Sequence, residues 1–179
     1  MSGAGGILEQ TQLVMRTARL ELIAATLEFV AADLHQRELL PTMFNAQIGD
    51  GWPAPLIDVP VMLRLKQSLV DEPEHNGWTA WYWILGSPRT LIGMSGFKNK
   101  PADGAVEIGY SLLPQFQRRG FATEAVAAMV NWAFAHGAQC VFAETLPELF
   151  GSQRVLIRNG FVRTSVSSEP GVFRFERRR

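Results

Sequence analysis

From Val106 to Gly137 the chain reads as a strand, a basic turn containing glycine, and an amphipathic helix, an order that commits it to an α/β fold. Val106, Ile108, Tyr110 and Leu112 alternate with Glu107, Gly109, Ser111 and Leu113, and Pro114 stops the ladder. Ala122, Ala125, Val126, Met129, Val130, Ala133 and Phe134 then recur at helical spacing, so one helix face is buried. Gly137 supplies a left-handed end, with His136 in the last turn. The turn between them holds Arg118, Arg119 and Gly120. First-turn N–H groups lack intrahelical partners and sit at the positive end of the helix dipole, so an anion binds there without dedicated side chains. Gly120 permits close approach and the two arginines add charge, which is the chemistry needed to hold a pyrophosphate.

A dinucleotide fingerprint needs G-x-G-x-x-G and a P-loop needs a terminal Gly-Lys-Ser/Thr, and neither is present. Seventeen basic and seventeen acidic residues cancel. No global field therefore draws the chain to nucleic acid or to an anionic membrane, and Arg177, Arg178 and Arg179 read as a solvated tail. With 179 residues, 47% of them hydrophobic, one domain with a sizeable core is expected. A single cysteine, Cys140 in an apolar strand, suits a reducing compartment and reads as a small core residue. Neither a signal peptide nor a bilayer-length apolar run is legible, which predicts a cytoplasmic protein. His35, His75 and His136 stand apart without ligand spacing, so no metal is expected.

Met1 to Gly6 reads as loose. A strand is expected from Val14 to Ala24 and a helix from Leu27 to Leu40, with Thr26 as N-cap. Residues Pro41 to Pro60 follow neither period and read as a long functional loop docked by Phe44 and Trp52. A second helix spans Val61 to Val70. Strands at Trp78 to Leu85, Leu91 to Phe97 and Val106 to Leu113 then form an antiparallel meander. Beyond the long helix come a fifth strand (Cys140 to Thr145), a short helix (Ser152 to Arg158) and a closing hairpin (Phe161 to Ser167 with Val172 to Phe175).

The run Gln117 to Ala122 resembles the Q/R-x-x-G-x-G/A acyl-CoA loop of the GNAT acetyltransferase superfamily. Thr17 to Leu22, Val106 to Tyr110, Ala143 to Glu148, Ser152 to Leu156 and the pair Gly160-Phe161 extend that resemblance to the branch of ribosomal-protein N-terminal (alanine/serine) acetyltransferases. The resemblance implies one GNAT-like domain: a mixed, mostly antiparallel sheet of about seven strands with about four helices, splayed between the fourth and fifth strands. It further implies acetyl-CoA as co-substrate, a primary amine (protein N-terminus or small molecule) as acceptor, and a homodimer as a common assembly. On this chain the cofactor would meet backbone groups of Leu112 and Leu113 along the pantetheine arm and the turn Gln117, Arg118, Arg119, Gly120, Phe121, Ala122 and Thr123 at the pyrophosphate.

Direct attack by an amine needs a deprotonated nucleophile. For an α-amino group (pKa near 8) or a lysine (about 10.4) deprotonation costs up to roughly 4 to 5 kcal/mol at neutral pH. Glu107 is the candidate base or relay, its alternative an exposed or ion-paired strand carboxylate. The resemblance makes Ser152 the proton donor to the departing thiolate, against an ordinary helix N-cap. Two positions depart from the family pattern: Leu156 stands where many members carry a tyrosine, and Leu149 where the branch carries a cofactor-binding asparagine. They motivate a second reading, a CoA-binding sensor without transferase activity, and a third is a nucleotide-binding domain using the same turn. Trp78, Trp81, Tyr82 and Trp83 read as sheet core, or alternatively as an acceptor pocket. Asp50, Asp58, Asp71, Glu72 and Glu74 read as solvated surface, or as an attraction for a cationic amine.

Overall fold

The computed structural model of the protein describes residues 12–165 and 167–179, at Glu74 the backbone alone. Met1 to Gly6 and the Glu74 side chain therefore lie outside the described residues. The N-terminal apolar stretch is a hairpin rather than one strand: β1 (Val14–Arg16) pairs antiparallel with β2 (Leu20–Ala24). Thr17 makes the corner, its Oγ1 accepting the Leu20 N–H at 3.0 Å while its own N–H donates to the Leu20 carbonyl at 2.9 Å.

Thr26 caps α1 (Leu27–His35), accepting the Phe29 N–H at 3.2 Å. The helix stops five residues before the predicted Leu40, because its C-cap Gln36 leaves helical geometry at φ −146° and ψ 51° while its N–H still bonds the Ala32 carbonyl. The chain then makes a 3-10 turn at Arg37–Leu39 and restarts as α2 (Leu40–Phe44) with Pro41 in its first turn.

The long loop that follows contains β3 (Gln47–Ile48) and is docked by Phe44 and Trp52, both buried. Its anchor is Asp33 of α1, a buried carboxylate accepting from Trp52 Nε1 at 3.0 Å, Arg37 Nε at 2.9 Å and the Tyr82 hydroxyl at 3.2 Å. Three donors satisfy a charge that would otherwise be costly to bury. Asp58 caps α3 (Val59–Asp71), accepting the Val61 N–H at 2.9 Å.

β4 (Ala80–Gly86), β5 (Arg89–Phe97) and β6 (Ala105–Leu112) form the expected meander. α4 (Phe121–Ala135) crosses over to β7 (Cys140–Thr145), which lies parallel to β6. α5 (Phe150–Arg158), β8 (Val162–Arg163) and β9 (Phe173–Arg178) complete the chain. The sheet order is β1-β2-β4-β5-β6-β7-β9-β8, with β3 beside β5. Nine strands and five α-helices among the described residues exceed the predicted counts through the split hairpin, β3 and α2.

Two cores flank the sheet. Trp81, Trp83, Ile108 and Val106 pack under Val126, Met129 and Ala133 of α4, while Tyr82, Leu91 and Met94 meet Val30 of α1 and Met62 of α3. Trp81, Tyr82 and Trp83 are fully enclosed, and each large apolar side chain so buried contributes about 1.5–3 kcal/mol. The aromatic run is core and not a pocket wall.

Candidate active site

β6 and β7 run together for three pairs, Ala105 with Cys140 to Glu107 with Phe142, and then part. Past Glu107 no strand covers that edge of β6 among the described residues. Lys98 N–H donates to the Glu107 carbonyl at 3.0 Å and Leu113 N–H to the Ile92 carbonyl at 2.9 Å, so Glu107, Gly109, Ser111 and Leu113 turn their backbone groups toward β5. Ile108, Tyr110 and Leu112 consequently face the opening. The Leu112 carbonyl is already held by Gln117 Nε2 at 3.1 Å. Ile108 and Tyr110, with the Leu112 N–H, are thus the groups placed to pair with an extended polar arm, and Leu113 contributes a fully buried side chain behind them.

The strand ends in a 3-10 turn at Pro114–Phe116 and then bends through positive φ at Arg118 (59°) and Gly120 (82°). Left-handed residues in a turn make successive N–H groups converge into a concavity that suits anions. Among the described residues the N–H groups from Arg118 to Thr123 have no backbone acceptor, and the ladder of α4 begins with Glu124 N–H to the Gly120 carbonyl at 3.0 Å. Arg118 and Arg119 are exposed beside them. The Phe121 ring is buried, with the guanidinium groups of Arg19 and Arg119 over it at 4.5 and 5.2 Å, so at the turn this residue offers its N–H alone. A convergent set of unpaired amides flanked by two arginines fits a pyrophosphate, and the open β6 edge beside it fits an amide-bearing arm.

Ser152 does not cap its helix. α5 begins at Phe150 with Leu149 in the N-cap position and no side-chain cap bond, which leaves Ser152 inside the first turn. Its Oγ lies 3.0 Å from the Tyr110 hydroxyl, which also reaches the Ser152 carbonyl at 3.2 Å. The pair joins β6 to α5 past the point where β6 and β7 separate. Burial pushes the Tyr110 phenol up to about 12, the Ser152 bond pulling the other way, so it stays a protonated donor at neutral pH.

Glu107 occupies the last paired position before the fork and is ion-paired to Lys98 Nζ at 2.5 Å. Glu144 lies two residues past Phe142, the register partner of Glu107, on the same face of β7, and accepts from the Ser168 N–H at 2.8 Å and from the Ser168 hydroxyl. Burial pushes the Glu144 carboxyl up, but the two Ser168 bonds and the charges of Arg174 and Lys98 outweigh it and hold it below the usual carboxylate range. Leu156 is fully buried in the α4 core and Leu149 is exposed, so neither offers a polar group. Asp50, Asp58, Asp71 and Glu72 are exposed. Asp58 is spent on capping α3, Asp71 accepts from Gln67 Nε2 at 2.7 Å, and Glu72 is paired with His75. Among the described residues no group of three His, Cys, Asp or Glu side chains gathers as for a metal ion.

The family model of the acetyltransferase (GNAT) domain matches residues 12–162. The chain belongs to the GNAT acetyltransferase family. It is similar to the uncharacterized N-acetyltransferase YjdG of Bacillus subtilis (strain 168), 26% identical over 58% of this chain, a match spanning 63% of that protein and thus less than two thirds of it. An acetyltransferase from Agrobacterium tumefaciens str. C58 shares the fold with a TM-score of 0.66 at 22% identity, over 93% of this chain and 95% of the other. RimL, a ribosomal L7/L12 α-N-protein acetyltransferase solved with coenzyme A, superposes with a TM-score of 0.63 at 22% identity, over 93% and 98% of the two chains.

Sequence reasoning about this GNAT chain singled out Glu107 and Ser152 but passed over Tyr110, Glu144 and Arg19. Tyr110 left a trace, since a hydroxyl stood on the otherwise apolar face of Val106, Ile108 and Leu112. Glu144 and Arg19 left none, because their partners lie 24 and about 100 residues away.

Proposed function

We propose that this protein transfers an acetyl group from acetyl-CoA directly to a primary amine. The observation that carries the reading is the uncovered edge of β6 running straight into a turn whose amides have no acceptor. Acetyl-CoA supplies the activated acyl thioester; the rest is done by the chain. Amides of Arg118 to Thr123 bind the pyrophosphate, and Ile108 and Tyr110 extend β6 onto the pantetheine arm. The carboxylates of Glu107 and Glu144 attract the cationic amine on the other face of the fork. Glu107 takes the amine's proton directly or through water, and Lys98 must yield it for that step. Nitrogen forms the new C–N bond as the C–S bond breaks, and Ser152, backed by the Tyr110 hydroxyl, delivers a proton toward the departing sulfur. First-turn N–H groups of α5 stabilise the thiolate meanwhile. The branch likeness, with RimL named for acting on a protein N-terminus, supports an α-amino acceptor, and a small primary amine meets the same requirements.

The Glu107–Lys98 ion pair and the apolar Leu156 favour one further reading, a CoA sensor without turnover. Calorimetry with acetyl-CoA on the wild type and Gly120→Glu, followed by thiol release over a panel of amines and N-terminal peptides, separates them. Binding abolished by the variant together with thiol release is the expected result. Binding without release favours the sensor, and no binding by the wild type rejects both.

A further inference from the structure

Arg19 sits in the β1–β2 corner, 100 residues before Arg119 in sequence, and contacts the pyrophosphate turn at several points. Nη1 donates to the Arg119 carbonyl at 2.9 Å, Nε pairs with Glu124 Oε2 at 2.7 Å, and the guanidinium lies over the Phe121 ring. Glu124 in turn accepts the Arg19 N–H at 2.7 Å and the Thr17 hydroxyl at 2.5 Å. Burial pushes its carboxyl up, but these bonds and the Arg19 charge outweigh that and keep it ionised below the usual carboxylate range. A β-carbon on Gly120 would stand 3.2 Å from Arg19 Nη2, so the guanidinium fills the space a side chain there would need.

The turn needs such support. Arg118 is in the left-handed region, which costs a non-glycine residue roughly 1–2 kcal/mol, and Gly120 supplies no side-chain cap to α4. Strained turns persist where their surroundings over-determine them. The bonded Arg119 carbonyl shares one rigid peptide plane with the Gly120 N–H, and in a trans peptide the two point in opposite directions. Fixing the carbonyl against Arg19 therefore aims the Gly120 N–H away from Arg19, into the concavity.

We propose that Arg19, locked by Glu124 and Thr17, is a positioning residue that pre-forms the pyrophosphate turn, an inference that rests on the acetyl-CoA reading above. Its role is geometric rather than a matter of charge. Pre-forming a binding loop spares the ordering cost at the moment of binding, so its loss appears in affinity.

The test compares acetyl-CoA with S-acetylpantetheine, which lacks the pyrophosphate, in the wild type, Arg19→Met and Arg19→Lys. Lysine retains the charge but replaces the planar fork, which reaches Glu124 through Nε and the Arg119 carbonyl through Nη1, with one nitrogen on a flexible stem. Both variants should raise the CoA dissociation constant about tenfold or more, leave kcat at saturating acetyl-CoA in place, and keep kcat/KM for S-acetylpantetheine within about twofold. Wild-type affinity in Arg19→Lys would overturn the inference in favour of charge alone. Equal losses with both donors would overturn it in favour of a general structural role, and unchanged CoA affinity in folded Arg19→Met would overturn it outright while leaving the acetyl-CoA reading intact. If Arg19→Met does not fold, Glu124→Gln should show the same donor-selective loss in milder form, and no loss there would count against the lock. A wild type that binds no CoA removes the acetyl-CoA reading and this inference together.

Discussion

Tyr110 brings a hydroxyl to the fork from β6, while the position on α5 where many GNAT members carry a tyrosine is the buried Leu156. With its phenol pushed up to about 12 by burial, Tyr110 keeps its proton and can pass polarisation to Ser152. Tyr110→Phe should lower kcat about tenfold with CoA affinity unchanged, checked by thiol release and calorimetry; a parallel loss of binding would make the hydroxyl a strut between β6 and α5. Glu107 presents a different residue-scale case, since its carboxylate is already paired with Lys98. Glu107→Gln should cut turnover at neutral pH about a hundredfold and by less near pH 9, where more of the amine is deprotonated without help. A loss that stays constant across pH would argue for an ionic strut and not a base. The identity of Glu107 and Ser152 as candidates was legible in the sequence, through alternation and family resemblance. Their partners were not, because Lys98 and Tyr110 meet them through strand pairing and helix packing that no local pattern encodes.

At the scale of elements, the β1–β2 corner and the start of α4 are joined through Glu124. Its folded-state pKa lies below that of an unfolded glutamate, about 4.3, so its stabilising effect is complete above that value and fades as pH falls through the folded value. Glu144, depressed in the same sense by Ser168, adds to the effect. The melting temperature should therefore drop as pH falls below about 4.3, and Glu124→Gln should flatten that part of the curve by lowering the neutral-pH plateau. An identical acid slope in wild type and variant would exclude Glu124 as a contributor. α4 was readable almost residue by residue, from its apolar stripe to the left-handed Gly137 at φ 102°. The N-terminal hairpin was not, because Val14 to Ala24 carries strand-forming residues throughout and only the Thr17 hydroxyl, by bonding the backbone three residues on, decides where the strand folds back.

For the whole molecule, the mostly antiparallel sheet between two cores is tight enough that some glycines are set by packing alone. A β-carbon at Gly96 of β5 would run into the Thr79 carbonyl oxygen, a backbone atom that cannot swing aside. Gly96→Ala should cost roughly 2 kcal/mol or more in denaturant unfolding with little change in the m-value, and a neutral result would mean that the β4–β5 pairing tolerates a shift there. The sequence by itself determined the α/β class, the meander, the long helix and the place of the basic, glycine-containing turn, because hydrophobic period, proline and glycine act over a few neighbours. Tertiary structure alone decided that β6 and β7 pair at three residues and then diverge, that Asp33 anchors the long loop, that Tyr110 meets Ser152, and that Arg19 braces the Arg118–Gly120 turn. Each of these is a contact between segments 19 to 100 residues apart or a gap between two strands, and such relations exist only once the chain has closed around its cores.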